Sequence, residues 1–92
     1  MNRIRVKHLS EREIEELQLD SWFPWSCDAS TFNWSYDQTE ECFLYHGHVK
    51  VWTSDKAYTE IRAGDFVVFP KGLTCKWEVI SPVEKVYRFI DE

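Results

Sequence analysis

An all-β fold is what this chain of 92 residues predicts: a sandwich or closed barrel of short antiparallel strands, with one short helix near its N-terminal end. Three observations predict it. From Thr31 onward the sequence is a succession of short apolar, aromatic and β-branched runs, TFNWSY, TEECFLYH, HVKVWT, AYTEIR, DFVVF, TCKWEV and VEKVYRFI. Turn-forming pieces separate them: Asp37-Gln38, Gly47, Ser54-Asp55-Lys56, Ala63-Gly64, Pro70-Lys71-Gly72 and Ser81-Pro82. Aromatic residues make up 16% of the chain, five of them Trp, and each large ring buries enough surface to help a small β-rich unit close its core.

The elements can be justified in order. Arg3 to Lys7 alternates charged residues with Ile4 and Val6, the period of a half-buried strand, and its charges suit a sheet edge. Ser10 stands three residues before Glu13, with Leu9 placed to meet Ile14. This capping box with a hydrophobic staple predicts a helix from Glu11 to about Leu17. Its apolar face is only Ile14 and Leu17, so it must lean on the sheet, and its glutamates read as a solvated face. Leu19 to Ser30 has no period and contains Pro24, which predicts a loop carrying Trp22, Phe23 and Trp25 over an end of the sheet. Those rings suit a packed plug, a pocket wall or an interface.

Side chains alternate along strands, so the remaining runs sort into faces. Leu73, Cys75, Trp77 and Val79 form one row against Thr74, Lys76, Glu78 and Ile80, and the apolar row points inward. Phe32, Trp34 and Tyr36 form an inward row opposite Thr31, Asn33 and Ser35. On the last run the aromatic row of Val83, Lys85, Tyr87 and Phe89 takes Lys85 inside with it. No linker or repeat divides the chain.

Charge narrows the partners. Eleven basic against sixteen acidic residues give a net charge of −5, which repels a nucleic-acid backbone and offers no basic patch to an anionic membrane. Three cysteines without a framework spacing, and no apolar signal segment, make a reducing cytoplasm the expected setting.

Two stretches carry a resemblance. Gly64, Pro70 and Gly72 stand in G-x5-P-x-G spacing ahead of Cys75, which resembles the second motif of cupins, where a histidine ligand holds the Cys75 position. Glu40 and Gly47 match the second half of the first cupin motif, whose two histidine positions fall on Trp34 and Tyr36. The chain is similar in more detail to small single-domain cupins related to the cupin domain of (S)-ureidoglycine aminohydrolase. These share W-x-Y-D-x-x-E-x-C, then G-D-x-V-x-F-P-x-G-L-x-C-x-W and a closing V-x-K-x-Y. Here those are Trp34, Tyr36, Asp37, Glu40 and Cys42, then Gly64 through Trp77, then Val83, Lys85 and Tyr87, so the likeness runs from Trp22 to Phe89. It implies one cupin domain over residues 1–92, a conical β-barrel of the double-stranded β-helix, jelly-roll type. It also implies a departure: of the usual three imidazoles and a carboxylate, this chain keeps only Glu40 and offers Cys75, so no cofactor is expected and a divalent metal would have few ligands.

The expected ligand-binding set is therefore the interior cluster Trp34, Tyr36, Glu40, Cys42, Cys75, Trp77 and Lys85, aromatic walls with a few convergent polar groups. Each also has a purely structural use: the cysteines and Trp77 as core, and Glu40 as a carboxylate satisfied by Lys85 or a tyrosine hydroxyl. An interior Glu40 must be paired, protonated or wet. His46-Gly47-His48 resembles a metal-binding pair, but Gly47 in a hairpin turn would splay the imidazoles at the surface. Three functions follow as expectations. The first is a metal-independent pocket for a small organic molecule. The second is an enzyme of aminohydrolase or isomerase type using Glu40 and Cys75, with Lys85 as the cation able to activate the thiol or a weakly held metal assisting. The third is an interaction protein that forms a homodimer through exposed outer-face Phe43, Tyr45 and Trp52, compatible with either of the others.

Overall fold

Two long strands organise the molecule. In this computed structural model, which describes residues 3–91, β4 (Thr39–Ser54) and β7 (Thr74–Ile90) run antiparallel along most of their length. Around them lie β1 (Arg5–His8), α1 (Glu11–Leu17), a 3-10 turn (Leu19–Ser21), β2 (Phe23–Cys27), β3 (Ser30–Ser35), β5 (Ala57–Arg62) and β6 (Asp65–Phe69). Each long strand serves two sheets. The first half of β4 and the second half of β7 belong to a sheet ordered β1-β6-β4-β7-β2. Their other halves pair with β5 and β3. All pairings are antiparallel.

This corrects two expected breaks. Gly47 is not a hairpin turn, and Ser81-Pro82 does not end a strand; both lie inside continuous strands where these bend from one sheet to the other. The register between β4 and β7 shifts from Leu44 through Val49, and the shift changes which residues face inward. Cys42 and Leu44 are buried on the near side of it, Val49 and Val51 on the far side, so the parity of the inner row switches once. Gly47 makes the bend tenable: its φ of 115° is in the left-handed region, and a Cβ there would stand 2.7 Å from the Val83 Cα and 2.8 Å from the Pro82 carbonyl.

The main core gathers Leu44, Val49, Val51, Ile61, Val67, Phe69, Leu73, Val79 and Val83 between the sheets. A second apolar layer lies on the outer face of the first sheet, where Phe43 and Val86 pack under Leu9, Leu19 and Trp22, with Ile14 and Leu17 of α1 against them. The helix starts as its sequence requires: Glu13 N–H donates to Ser10 Oγ at 3.2 Å, and Ser10 N–H donates to Glu13 Oε1 at 3.1 Å. Its cover buries Phe43 to 4% exposure, which corrects the expectation that this outer-face aromatic is exposed. Tyr45 remains exposed and Trp52 half-buried, so no continuous aromatic patch of those three exists.

The third correction concerns Leu19 to Ser30. The stretch is a 3-10 turn followed by strand β2, which pairs with β7 from Phe23 opposite Tyr87 to Cys27 opposite Val83. Pro24 is tolerated because β2 ends its sheet, where an absent N–H leaves no partner unsatisfied. Its three aromatics divide their tasks: Trp22 is buried under α1, Phe23 is exposed, and Trp25 faces inward between the sheets.

Candidate functional site

A cavity of about 140 Å³ opens between β2 and β3, the strands that end the two sheets on one side. Trp25 of β2, Phe32 and Trp34 of β3, and Trp77, Tyr87 and Phe89 of β7 wall it. Tyr36, Glu40 and Lys85 supply its polar groups. Register explains the assembly. Trp25 lies across from Lys85, Phe32 from Trp77 and Glu40 from Phe89, so alternation on four strands aims these side chains into one space. The walls hold one another: Phe32 stacks on Trp77 with centroids 6.0 Å apart, and Trp25 meets the same indole edge-on at 5.9 Å.

Its polar base is a buried ion pair. Lys85 Nζ donates to Glu40 Oε2 at 2.8 Å, and the two residues are 7% and 5% exposed. Four rings surround the ammonium, with Trp77 at 4.8 Å, Trp25 at 5.1 Å, Tyr87 at 5.6 Å and Phe69 at 5.9 Å to their centroids. Partner and ring faces together offset the cost of taking both charges out of water. Beside them Tyr36 Oη accepts a hydrogen bond from Trp77 Nε1 at 3.2 Å. Burial, and then the nearby Glu40 charge, push the Tyr36 phenol well above its usual range, so it remains protonated. The same residue is pinned by backbone: Tyr36 N–H donates to the Leu73 carbonyl at 2.9 Å and Gly72 N–H to the Tyr36 carbonyl at 2.8 Å. The Pro70-Lys71-Gly72 turn thus fixes the end of β3.

Of the residues expected at the site, Trp34, Tyr36, Glu40, Trp77 and Lys85 line the cavity. Trp34, at 51% exposure, stands at its rim. Cys42 and Cys75 do not line it; they sit in the core beneath, 0% and 5% exposed. Burial pushes the Cys42 thiol up to about 12 and the Cys75 thiol to about 11; for Cys75 the Glu40 charge adds to the rise and Lys85 opposes it. At neutral pH both are thiols, the less nucleophilic form. Trp25, Phe32, Tyr87 and Phe89 complete the walls and were not in the expected set. Phe32, Tyr87 and Phe89 were legible as inward residues of rows already carrying Trp34 and Lys85. Trp25 was legible only through the Phe23-x-Trp25-x-Cys27 alternation that Pro24 obscures.

The two histidines of His46-Gly47-His48 part company. His46 is exposed, while His48 Nε2 lies 2.6 Å from Glu60 Oε2, whose carboxyl is held low by that contact.

Two antiparallel sheets sharing bent strands, closed round an aromatic cavity at one open end, define a barrel of the cupin type. The chain belongs to the EutQ-like cupin domain family, whose model matches residues 14–87. A DUF861 family protein from Thermotoga maritima is 36% identical, with a TM-score of 0.91 over 96% of this chain and 100% of that one. More distant structures share the fold. The EutQ protein of Clostridium difficile is 17% identical at a TM-score of 0.63, over 94% of this chain and 66% of its own. A cupin superfamily protein from Desulfitobacterium hafniense is 11% identical at 0.61, over 98% of this chain and 80% of its own. No curated protein gives a significant match.

Cupin barrels are associated with a divalent metal on imidazoles and a carboxylate, and the donors here do not fit one. The two first-motif histidine positions hold an indole and a phenol, the third holds the buried Cys75 thiol, and the remaining carboxylate is engaged by Lys85. Among the described residues no three His, Cys, Asp or Glu side chains gather where an ion could sit. No helix of the described residues is long and apolar enough to cross a membrane.

Proposed function

We propose that this chain is a metal-independent binding module that takes a small organic molecule into the barrel cavity. Within the cupins we propose to group it with the small single-domain members related to the cupin domain of (S)-ureidoglycine aminohydrolase. The three motifs from Trp34 to Cys42, Gly64 to Trp77 and Val83 to Tyr87 support that grouping. One observation carries the binding proposal: a charge-balanced Lys85–Glu40 couple lies at the base of a cavity whose walls are aromatic. Aromatic walls with a few convergent polar groups are the usual anatomy of a ligand pocket. Its size sets a scale, since a cavity of about 150 Å³ accommodates benzene. A single six-membered ring fills the enclosed part, and substituents reach the rim at Trp34 and Phe89.

Native mass spectrometry with metal analysis on the purified chain tests this. The expected result is no stoichiometric transition metal, together with a retained small organic mass or saturable binding of single-ring compounds. A stoichiometric divalent metal whose removal abolishes ligand binding would overturn it.

A further inference from the structure

Each polar group at the cavity base is satisfied once and has capacity left. Glu40 uses Oε2 on Lys85, and among the described residues its Oε1 has no partner within the protein. Lys85 has three N–H donors and spends one on Glu40. Tyr36 accepts from Trp77, so the indole N–H occupies its oxygen lone pair and its own proton is available to another acceptor. All three residues line the cavity, and all are more than nine-tenths buried. A ligand therefore meets two kinds of donor, Lys85 and Tyr36, beside one acceptor, Glu40 Oε1.

Charge decides the ligand class. Lys85 and Glu40 cancel, so the base is polar but neutral, and among the described residues no other residue charged at neutral pH lines the cavity. A carboxylate entering it would add a third buried charge next to Glu40 with no second cation to balance it. An ammonium would meet Lys85, which already occupies the aromatic box that could have held it. A neutral group with both hydrogen-bonding senses meets neither cost: its carbonyl accepts from Lys85 or Tyr36 and its N–H donates to Glu40 Oε1. The walls favour a flat ring, because Trp25, Phe32, Trp34, Trp77, Tyr87 and Phe89 line the space with aromatic surface.

We infer that the pocket selects a small, neutral, planar ring carrying a carbonyl next to an N–H, the edge of a lactam, over carboxylates and ammonium ions of the same size; this rests on the cavity being a binding site, as proposed above.

Calorimetry on the full chain at pH 7 with 2-pyridone, benzoate and benzylamine, three single-ring probes differing in charge, separates the possibilities. 2-Pyridone is expected to bind at least about ten-fold more tightly than the other two. Benzoate or benzylamine binding as well as 2-pyridone would overturn the selection for a neutral lactam edge while leaving the cavity a binding site. Binding of none of the three at millimolar concentration would overturn the binding proposal, and the selectivity with it. A second measurement uses Glu40→Gln, which leaves Lys85 unbalanced: the preference should swing toward benzoate by about ten-fold or more. An unchanged ranking in folded Glu40→Gln would overturn the charge-balance account. If that variant does not fold, the ranking on the natural chain decides alone.

Discussion

Replacing Lys85 with methionine removes the cation while keeping a long apolar stem among the same four rings. Both members of the pair are nearly buried, and Glu40 has no other hydrogen bond from its side chain among the described residues, so Lys85→Met leaves a carboxylate in the core without its counter-charge. Breaking a buried pair on one side costs about 3–5 kcal/mol, most of it the penalty on the abandoned partner. For a domain of this size each kcal/mol is about 4–8 °C in Tm, so the midpoint should fall by about 12 °C or more. Glu40→Gln should cost less, about 1–3 kcal/mol, because the amide oxygen still accepts from Lys85. The double variant Glu40→Leu/Lys85→Met abandons neither charge and should recover most of the loss. Urea unfolding of the four proteins gives the numbers directly, with the slope checked for constancy. A loss below about 1 kcal/mol for Lys85→Met, or a double variant less stable than both singles, would refute the buried-pair account and the charge-balance inference that depends on it.

Three other outcomes follow from the geometry. Gly47→Ala combines a left-handed φ with a backbone clash against Pro82 and Val83, and should cost about 1–3 kcal/mol or more in denaturant unfolding; a neutral effect would mean the β4 bend can relax. In the folded protein at pH 8, Cys75, raised from 9.0 to about 11, should carry about 100-fold less thiolate than an ordinary thiol, and Cys42 less again, so mass-resolved alkylation should favour Cys27 until denaturant is added. Because the folded forms of Cys42, Cys75 and Tyr36 hold their protons to higher pH than the unfolded chain, stability should fall as pH rises above about 9. At the acid end Glu13, lowered to about 2 by Lys7 and Ser10, contributes stability above its ordinary value of 4.5 that is lost as pH falls toward 2; equilibrium unfolding across both ranges checks the signs.

Local chemistry and strand alternation make part of this molecule legible residue by residue. Ser10 and Glu13 specify a helix start that needs no tertiary contact, and the helix ends at Leu17 where its apolar positions run out. Alternation within each run put Trp34 and Tyr36, then Cys75 and Trp77, and separately Lys85 and Tyr87 on inward rows, although the last two runs read as distinct strands and prove to be one, β7. The resemblance in spacing from Gly64 to Cys75 pointed to the barrel. The rest depends on contacts between strands far apart in the chain. Gly47 and Ser81-Pro82 carry turn signals, yet pairing between β4 and β7 on both sides of them makes them bends; at Gly47 a φ-tolerant residue absorbs the change of sheet without ending the strand. Pro24 reads as a breaker and is harmless at an edge, a position that no local window reveals. Phe43 reads as exposed until α1 covers it. The cavity is decided at the same level: Lys85 finds Glu40 across 45 positions of chain, and Trp25 reaches the cavity only once β2 has docked on β7. Alternation fixes which way a side chain points, but what it meets there depends on which strands come together.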